Sequence, residues 1–112
     1  MRKTSLFIYL SIAFISASIP DPGHASYGRM RFRRLTIEDG LSQSTVEAIV
    51  QDRSGMIWIG TEDGLNRYDG YEFTVFRNDP GDSTSISSSN TWCLHVGSHG
   101  HLWIGTYSSG LN

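Results

Sequence analysis

The chain has 112 residues, with nine basic against eleven acidic side chains and a formal charge of −2 at pH 7. That near balance offers a polyanion nothing to bind by net charge, so a nucleic-acid partner is not expected in this segment. A single cysteine, Cys93, excludes an internal disulfide; between Trp92 and Leu94 in an expected strand, it reads as a small buried residue rather than a reactive thiol.

In chain order the first feature is an export signal. Arg2 and Lys3 precede an apolar run from Leu6 to Ala17 interrupted only by Ser11 and Ser16, and Pro20 and Pro22 end any helix there. Small residues at Ser16 and Ser18, and again at Gly23 and Ala25, stand in the minus-three and minus-one spacing of signal-peptidase sites. Residues 1–25 therefore read as a secretory signal peptide, cleaved after Ala25 or Ser18, which sends the chain to the periplasm. The apolar run is shorter than the roughly 20 residues of a membrane span. The mature remainder is at the small end of independent domains, where the buried fraction is low.

Residues 26–40 read as an N-terminal strand and lead-in. Arg29, Arg31, Arg33 and Arg34 interleave with Met30 and Phe32, a pattern that suits the solvated face of a short strand over Met30–Thr36. Short β-type runs then alternate with turn signals. Thr45 to Gln51 is expected as a strand, leading into the turn Asp52-Arg53-Ser54-Gly55, with Asp first and Gly fourth. Met56 to Thr61 is the second strand, Glu62-Asp63-Gly64 the next turn, and Leu65 to Tyr68 the third strand. Asp69-Gly70 predicts a two-residue hairpin with both residues at positive φ, leading into a fourth strand over Tyr71–Arg77. The 78–90 stretch is rich in Pro, Gly, Asp and Ser and reads as a crossing. Two further strands are expected at about 90–96 and 101–106, and the sequence stops where a third would begin.

The runs repeat. At an offset of 45, residues 41–66 match 86–112: Leu41 falls on Ile86, Ser42 on Ser87, Ser44 on Ser89, Ile49 on Leu94 and Gly55 on Gly100. Trp58-Ile59-Gly60-Thr61 lies on Trp103-Ile104-Gly105-Thr106, and one inserted residue shifts Gly64-Leu65-Asn66 onto Gly110-Leu111-Asn112. Four antiparallel strands in about 45 residues make a propeller blade. The expected fold is all-β: a signal peptide and about one and a half four-stranded antiparallel blades of a β-propeller, with blade 1 over 41–79 and linker plus incomplete blade 2 over 80–112. The repeat residues Gly55, Trp58, Gly60, Thr61, Gly64, Gly100, Trp103, Gly105, Thr106 and Gly110 are read as structural. The two tryptophans fill the wedge between blades, and Gly60 and Gly105 admit a close approach. Alone, such a chain is expected to leave Ile57, Ile59, Phe73 or Trp58 in water and to associate rather than fold as a monomer.

At these residues the chain resembles the two-component regulator propeller family. The stretches that carry the likeness are Leu35-Thr36-Ile37-Glu38-Asp39-Gly40-Leu41-Ser42, Val46 to Gly55, and Met56-Ile57-Trp58-Ile59-Gly60-Thr61-Glu62-Asp63-Gly64-Leu65-Asn66-Arg67-Tyr68-Asp69. The second repeat departs from them, with Gly97 in place of Asp52 and an insertion near Tyr107–Ser109. The resemblance implies a periplasmic propeller joined to a small β-sandwich, a membrane span and a cytoplasmic output module. That module is most often a histidine kinase, in other members a diguanylate cyclase. It implies small-molecule or carbohydrate ligands, but places no ligand residue on a numbered position.

The expected function is the extracytoplasmic ligand-sensing propeller portion of a bacterial signal-transduction receptor. Its partners are the remaining blades, an unidentified ligand, and the membrane only through downstream segments. A structural or protein-binding propeller without signalling output is the alternative. A glycosidase is disfavoured: Glu62, Asp63, Asp69 and Glu72 fall in turns of one blade, not as two carboxylates across a cleft. His95, His99 and His101 are separated by a turn and lack the partners of a closed zinc site. No enzyme activity, metal or cofactor is expected in this chain.

Overall fold

The computed structural model describes residues 28–112, so the expected signal peptide lies outside the described residues. Residues 33–112 form one compact unit. It is all-β, with a four-stranded antiparallel sheet in the order β1-β2-β3-β4 and a two-stranded sheet, β5-β6. The strands are β1 (Val46–Gln51), β2 (Ile57–Thr61), β3 (Gly64–Tyr68), β4 (Phe73–Phe76), β5 (Thr91–Val96) and β6 (Leu102–Thr106). The two sheets correspond to the two repeats. A bridge between Gly105 and Leu111, with paired backbone bonds between Ile104 and Asn112, begins a third strand in the second blade.

The register decides what each face touches. Trp58 opposes Val50 and Arg67, and Gly60 opposes Ala48 and Leu65, so these residues share one face of the first sheet. The opposite face carries Ile57, Ile59, Asn66 and Phe73. In the second sheet Cys93, His95, Trp103 and Gly105 line one face, and Leu94 and Ile104 the other. The Leu102 and Ile104 face of the second blade meets the Trp58 and Leu65 face of the first across a shared groove. Blade stacking thus buries apolar surface that neither sheet could cover alone.

Three expectations need correction. Met30–Thr36 is not a strand: among the described residues no strand pairs with it, and Met30 and Phe32 are exposed. The β3–β4 connection is not a two-residue hairpin. Tyr68 pairs with Phe73, leaving Asp69–Glu72 as a four-residue loop in which only Gly70 has positive φ. The Asp69 side chain supplies what the tight turn would have, accepting from the Tyr71 and Glu72 N–H groups at 2.8 and 2.9 Å. The fourth strand accordingly starts at Phe73, and Tyr71 is exposed. Finally, Ile59 is buried and Ile57 and Phe73 half-buried, because the lead-in folds back over their face.

That lead-in has a local cause. Thr36 caps a single 3-10 turn, Ile37–Asp39: its hydroxyl accepts from Glu38 N–H at 3.2 Å, and Asp39 Oδ2 accepts in turn from Thr36 N–H at 2.8 Å. Gly40, at φ 107, reverses the chain against Phe73 and delivers Leu41 into the core.

Candidate functional site

Among the described residues a polar clasp forms where the lead-in, the first blade and the second blade meet. Asn66, Thr61 and Thr91 are fully buried. Asn66 Oδ1 accepts from Ser42 N–H at 2.9 Å, while its Nδ2 donates to Ser42 Oγ at 2.8 Å and to the Ile59 carbonyl at 3.2 Å. The Ser42 and Thr61 hydroxyls lie 2.8 Å apart, and Thr61 Oγ1 donates to the Gly64 carbonyl at 3.0 Å. Thr91 enters from the second blade: its hydroxyl accepts from Thr61 N–H at 2.9 Å and donates to the Thr61 carbonyl at 3.0 Å. A fully satisfied buried network of this kind fixes one arrangement of its members.

Glycines make room for it. A Cβ on Gly60 would stand 3.0 Å from Thr91 Oγ1 and 3.1 Å from its carbonyl, so the close approach at Gly60 is that of the next blade's first strand. Gly64, at φ 121, has the Phe76 carbonyl 2.7 Å from the corresponding point. At Gly105 the neighbour is the Cys93 sulfur. Cys93 is exposed, contrary to the expected burial, because it lies on the second blade's uncovered face.

Trp58 is held by its own blade and half-buried. Its indole Nε1 donates to Asp52 Oδ2 at 2.8 Å, its ring lies 5.9 Å from that of Phe76, and Arg67 sits 6.0 Å over it. Trp103, its counterpart, is 46% exposed and has no carboxylate. Gly97 stands where Asp52 would be, with the indole nitrogen 3.1 Å from the position of a Cβ. The turn itself survives through Gly97 N–H to the His101 carbonyl at 2.8 Å.

Asp52 closes the first turn with both oxygens. Bonds from the Ser54 hydroxyl and the Trp58 indole, then from the Met56 and Ser54 N–H groups, lower its pKa to about 2. A carboxyl depressed in the folded state lends stability above its unfolded value, lost as pH falls through the folded one. Acid titration should therefore cost the protein stability between about pH 4 and pH 2. Asp69, held down by the Glu72 and Tyr71 N–H groups, and Asp82, held down by the Thr84 hydroxyl and N–H, act in the same direction. Asp52→Asn should flatten this acid limb, measured as the urea midpoint from pH 5 to pH 2. An unchanged limb would remove Asp52 from the account.

Asp52, Asp69 and Asp82 thus cap turns. Asp63 pairs with Arg77 at 3.0 Å, raising the guanidinium pKa, and Glu62 accepts from Gln43 at 3.3 Å. His99 Nδ1 lies 3.2 Å from the Ser98 hydroxyl in the exposed turn, and among the described residues no three His, Cys, Asp or Glu side chains converge. The groove between the blades, about 550 Å3, is lined by Trp58, Leu65 and Phe76 on one side and Ile86, Leu102 and Ile104 on the other.

Sequence reasoning missed the clasp. Ser42 and Asn66 did carry a signal, because both recur as Ser87 and Asn112, which repeat the bonds at 2.9 and 2.8 Å. Thr91 carried none, since its counterpart is Val46.

The repeat and the fold are shared with known proteins. A family model described as a two component regulator propeller matches residues 40–63 and 85–108, the two repeats. A Formosa agariphila protein described as histidine kinase P4 is 44% identical over 87 residues, which make up 78% of this chain and 6% of that protein. The extracellular domain of a hybrid two-component system from B. thetaiotaomicron aligns with a TM-score of 0.65 at 35% identity, over 70% of this chain and 11% of its own. A second such domain from that organism shares the fold, with a TM-score of 0.56 at 22% identity over 60% and 9%. The chain spans a small fraction of each relative's length.

Proposed function

The chain belongs to the two-component regulator propeller family, and from that premise we propose that it is part of the extracytoplasmic, ligand-detecting head of a bacterial signalling receptor. The observation that carries this reading is the 35% identity and common fold with the extracellular domain of a hybrid two-component system. The kinase relative supports histidine phosphorylation as the output of the full-length protein. In this reading 1–25 is the export signal, 26–40 the lead-in, 41–79 the first blade and 80–112 the linker and start of the second. The chain's partners are further blades and a small ligand. Its own described residues supply the stacking scaffold and not the phosphoryl chemistry.

Two measurements test it. Residues 1–30 fused to a periplasm-dependent reporter should give activity outside the cytoplasm, with a mature start near Ser26 or Ile19. A cytoplasmic product retaining Met1 overturns export. The full-length protein in membranes should label on histidine with radioactive ATP. Synthesis of a cyclic dinucleotide in its place, or no nucleotide chemistry, overturns the kinase output.

A further inference from the structure

If further blades complete the propeller, as the proposed function requires, one of them covers the face of the first blade turned away from the second. We propose that this joint, at Val46 and Ile49, is the loose one, where the ring parts more readily than between the first and second blades.

The joint between those two blades sets the comparison. Thr91 reaches from the second blade into the first and is fully buried. Its hydroxyl accepts from Thr61 N–H at 2.9 Å and donates to the Thr61 carbonyl at 3.0 Å, with the Gly64 carbonyl at 3.1 Å. Beside it Gly64 N–H donates to the Ser89 carbonyl at 2.6 Å. Leu94, Leu102 and Ile104 share this face of the second sheet, and Ile104 is buried.

The 45-residue repeat sets the same positions on the first blade. Val46 stands opposite Thr61 as Thr91 stands opposite Thr106, and Ile49 opposes Ile59 as Leu94 opposes Ile104. Here both places are open. Val46 is 46% and Ile49 67% exposed, whereas Thr91 is buried and Leu94 half-buried. The lead-in shelters Ile57 and Ile59 on this face and leaves Val46 and Ile49 uncovered. Continuity with the existing joint names the occupant. Repeated blades stack through the same pair of faces, so this surface takes another blade of the chain.

The two joints differ in one functional group. Valine has the branched shape of threonine but neither donor nor acceptor. The groups that Thr91 bonds on the first blade are main-chain groups, which any blade carries. At the closing joint Val46 cannot use them. Hydroxyl bonds fix one register, whereas apolar contact is non-directional and yields to sliding or parting.

Thiol labelling of the full-length protein tests this. In a Cys93→Ser background, Ile49→Cys reports opening of the closing joint and Leu94→Cys opening of the joint between the first two blades. Pulses of N-ethylmaleimide followed by peptide mass spectrometry read each rate. Ile49→Cys should label about tenfold faster than Leu94→Cys, yet far more slowly than in urea-unfolded protein. Val46→Thr should slow the first rate about tenfold and leave the second, and Thr91→Val should speed the second and leave the first. Equal rates, or a swap that moves both together as a general loss of stability would, overturns the proposal. So does protection of Ile49→Cys that vanishes on dilution, which makes the cover a second copy. Labelling of Ile49→Cys at the unfolded rate overturns the reading of further blades itself, and the loose joint with it.

Discussion

Asn66→Ala is expected to destabilise the protein by roughly 3–5 kcal/mol. The side chain is fully buried and makes bonds to Ser42 N–H, Ser42 Oγ and the Ile59 carbonyl. Alanine strands those groups away from water, at about 1–3 kcal/mol for each one left unsatisfied. It also releases the lead-in, whose Leu41 then loses its fixed seat in the core. Asn66→Asp tests the mechanism, because it keeps the acceptor for Ser42 N–H but turns an oxygen toward the Ile59 carbonyl. It should cost as much as alanine. Asn112→Ala, at the exposed counterpart, should cost far less. Urea denaturation of the full-length protein and its variants measures all three, and a loss below about 1 kcal/mol for Asn66→Ala would reduce the clasp to ordinary surface bonding.

Trp58→Ala should cost roughly 3 kcal/mol, the low end for a deleted aromatic because the residue is only half-buried. The variant loses the contacts with Phe76 and Arg67 and one donor to Asp52. It also loses the wall of the inter-blade groove facing Ile104. Where that face stays uncovered, Trp103→Ala should cost less than half as much, since that ring has neither the carboxylate nor a covering sheet. If further blades stack on that face, as proposed, the two costs should approach each other. Equal costs in both settings would mean that the tryptophans act within their own sheets and not between blades.

The range of the forces involved explains which features were legible in advance. Trp58-Ile59-Gly60-Thr61 and its copy at Trp103 announced a repeat, and the alternation of Ile57 and Ile59 against Trp58 announced a strand. Those are local properties, set by side-chain alternation and turn chemistry within a few residues. The turn at Asp52 came from its own four residues, with Gly55 N–H donating to the Asp52 carbonyl at 3.1 Å. The turn at Asp69 did not, because the same Asp-Gly pair serves a two-residue or a four-residue loop. The pairing of Tyr68 with Phe73 chose the longer one.

The sequence by itself determined that this protein is all-β, built on a 45-residue blade unit, and allied to a signalling propeller family. Which identical-looking positions are buried was decided only in three dimensions. Trp58 and Trp103 carry the same local sequence, yet one faces a neighbouring blade and the other does not. Ser42, Asn66 and Thr91, separated by up to 49 residues, share one buried network only because the lead-in folds back and the second blade docks. Burial and hydrogen-bond satisfaction are properties of what packs on a residue, and in a stacked repeat that partner always comes from elsewhere in the chain.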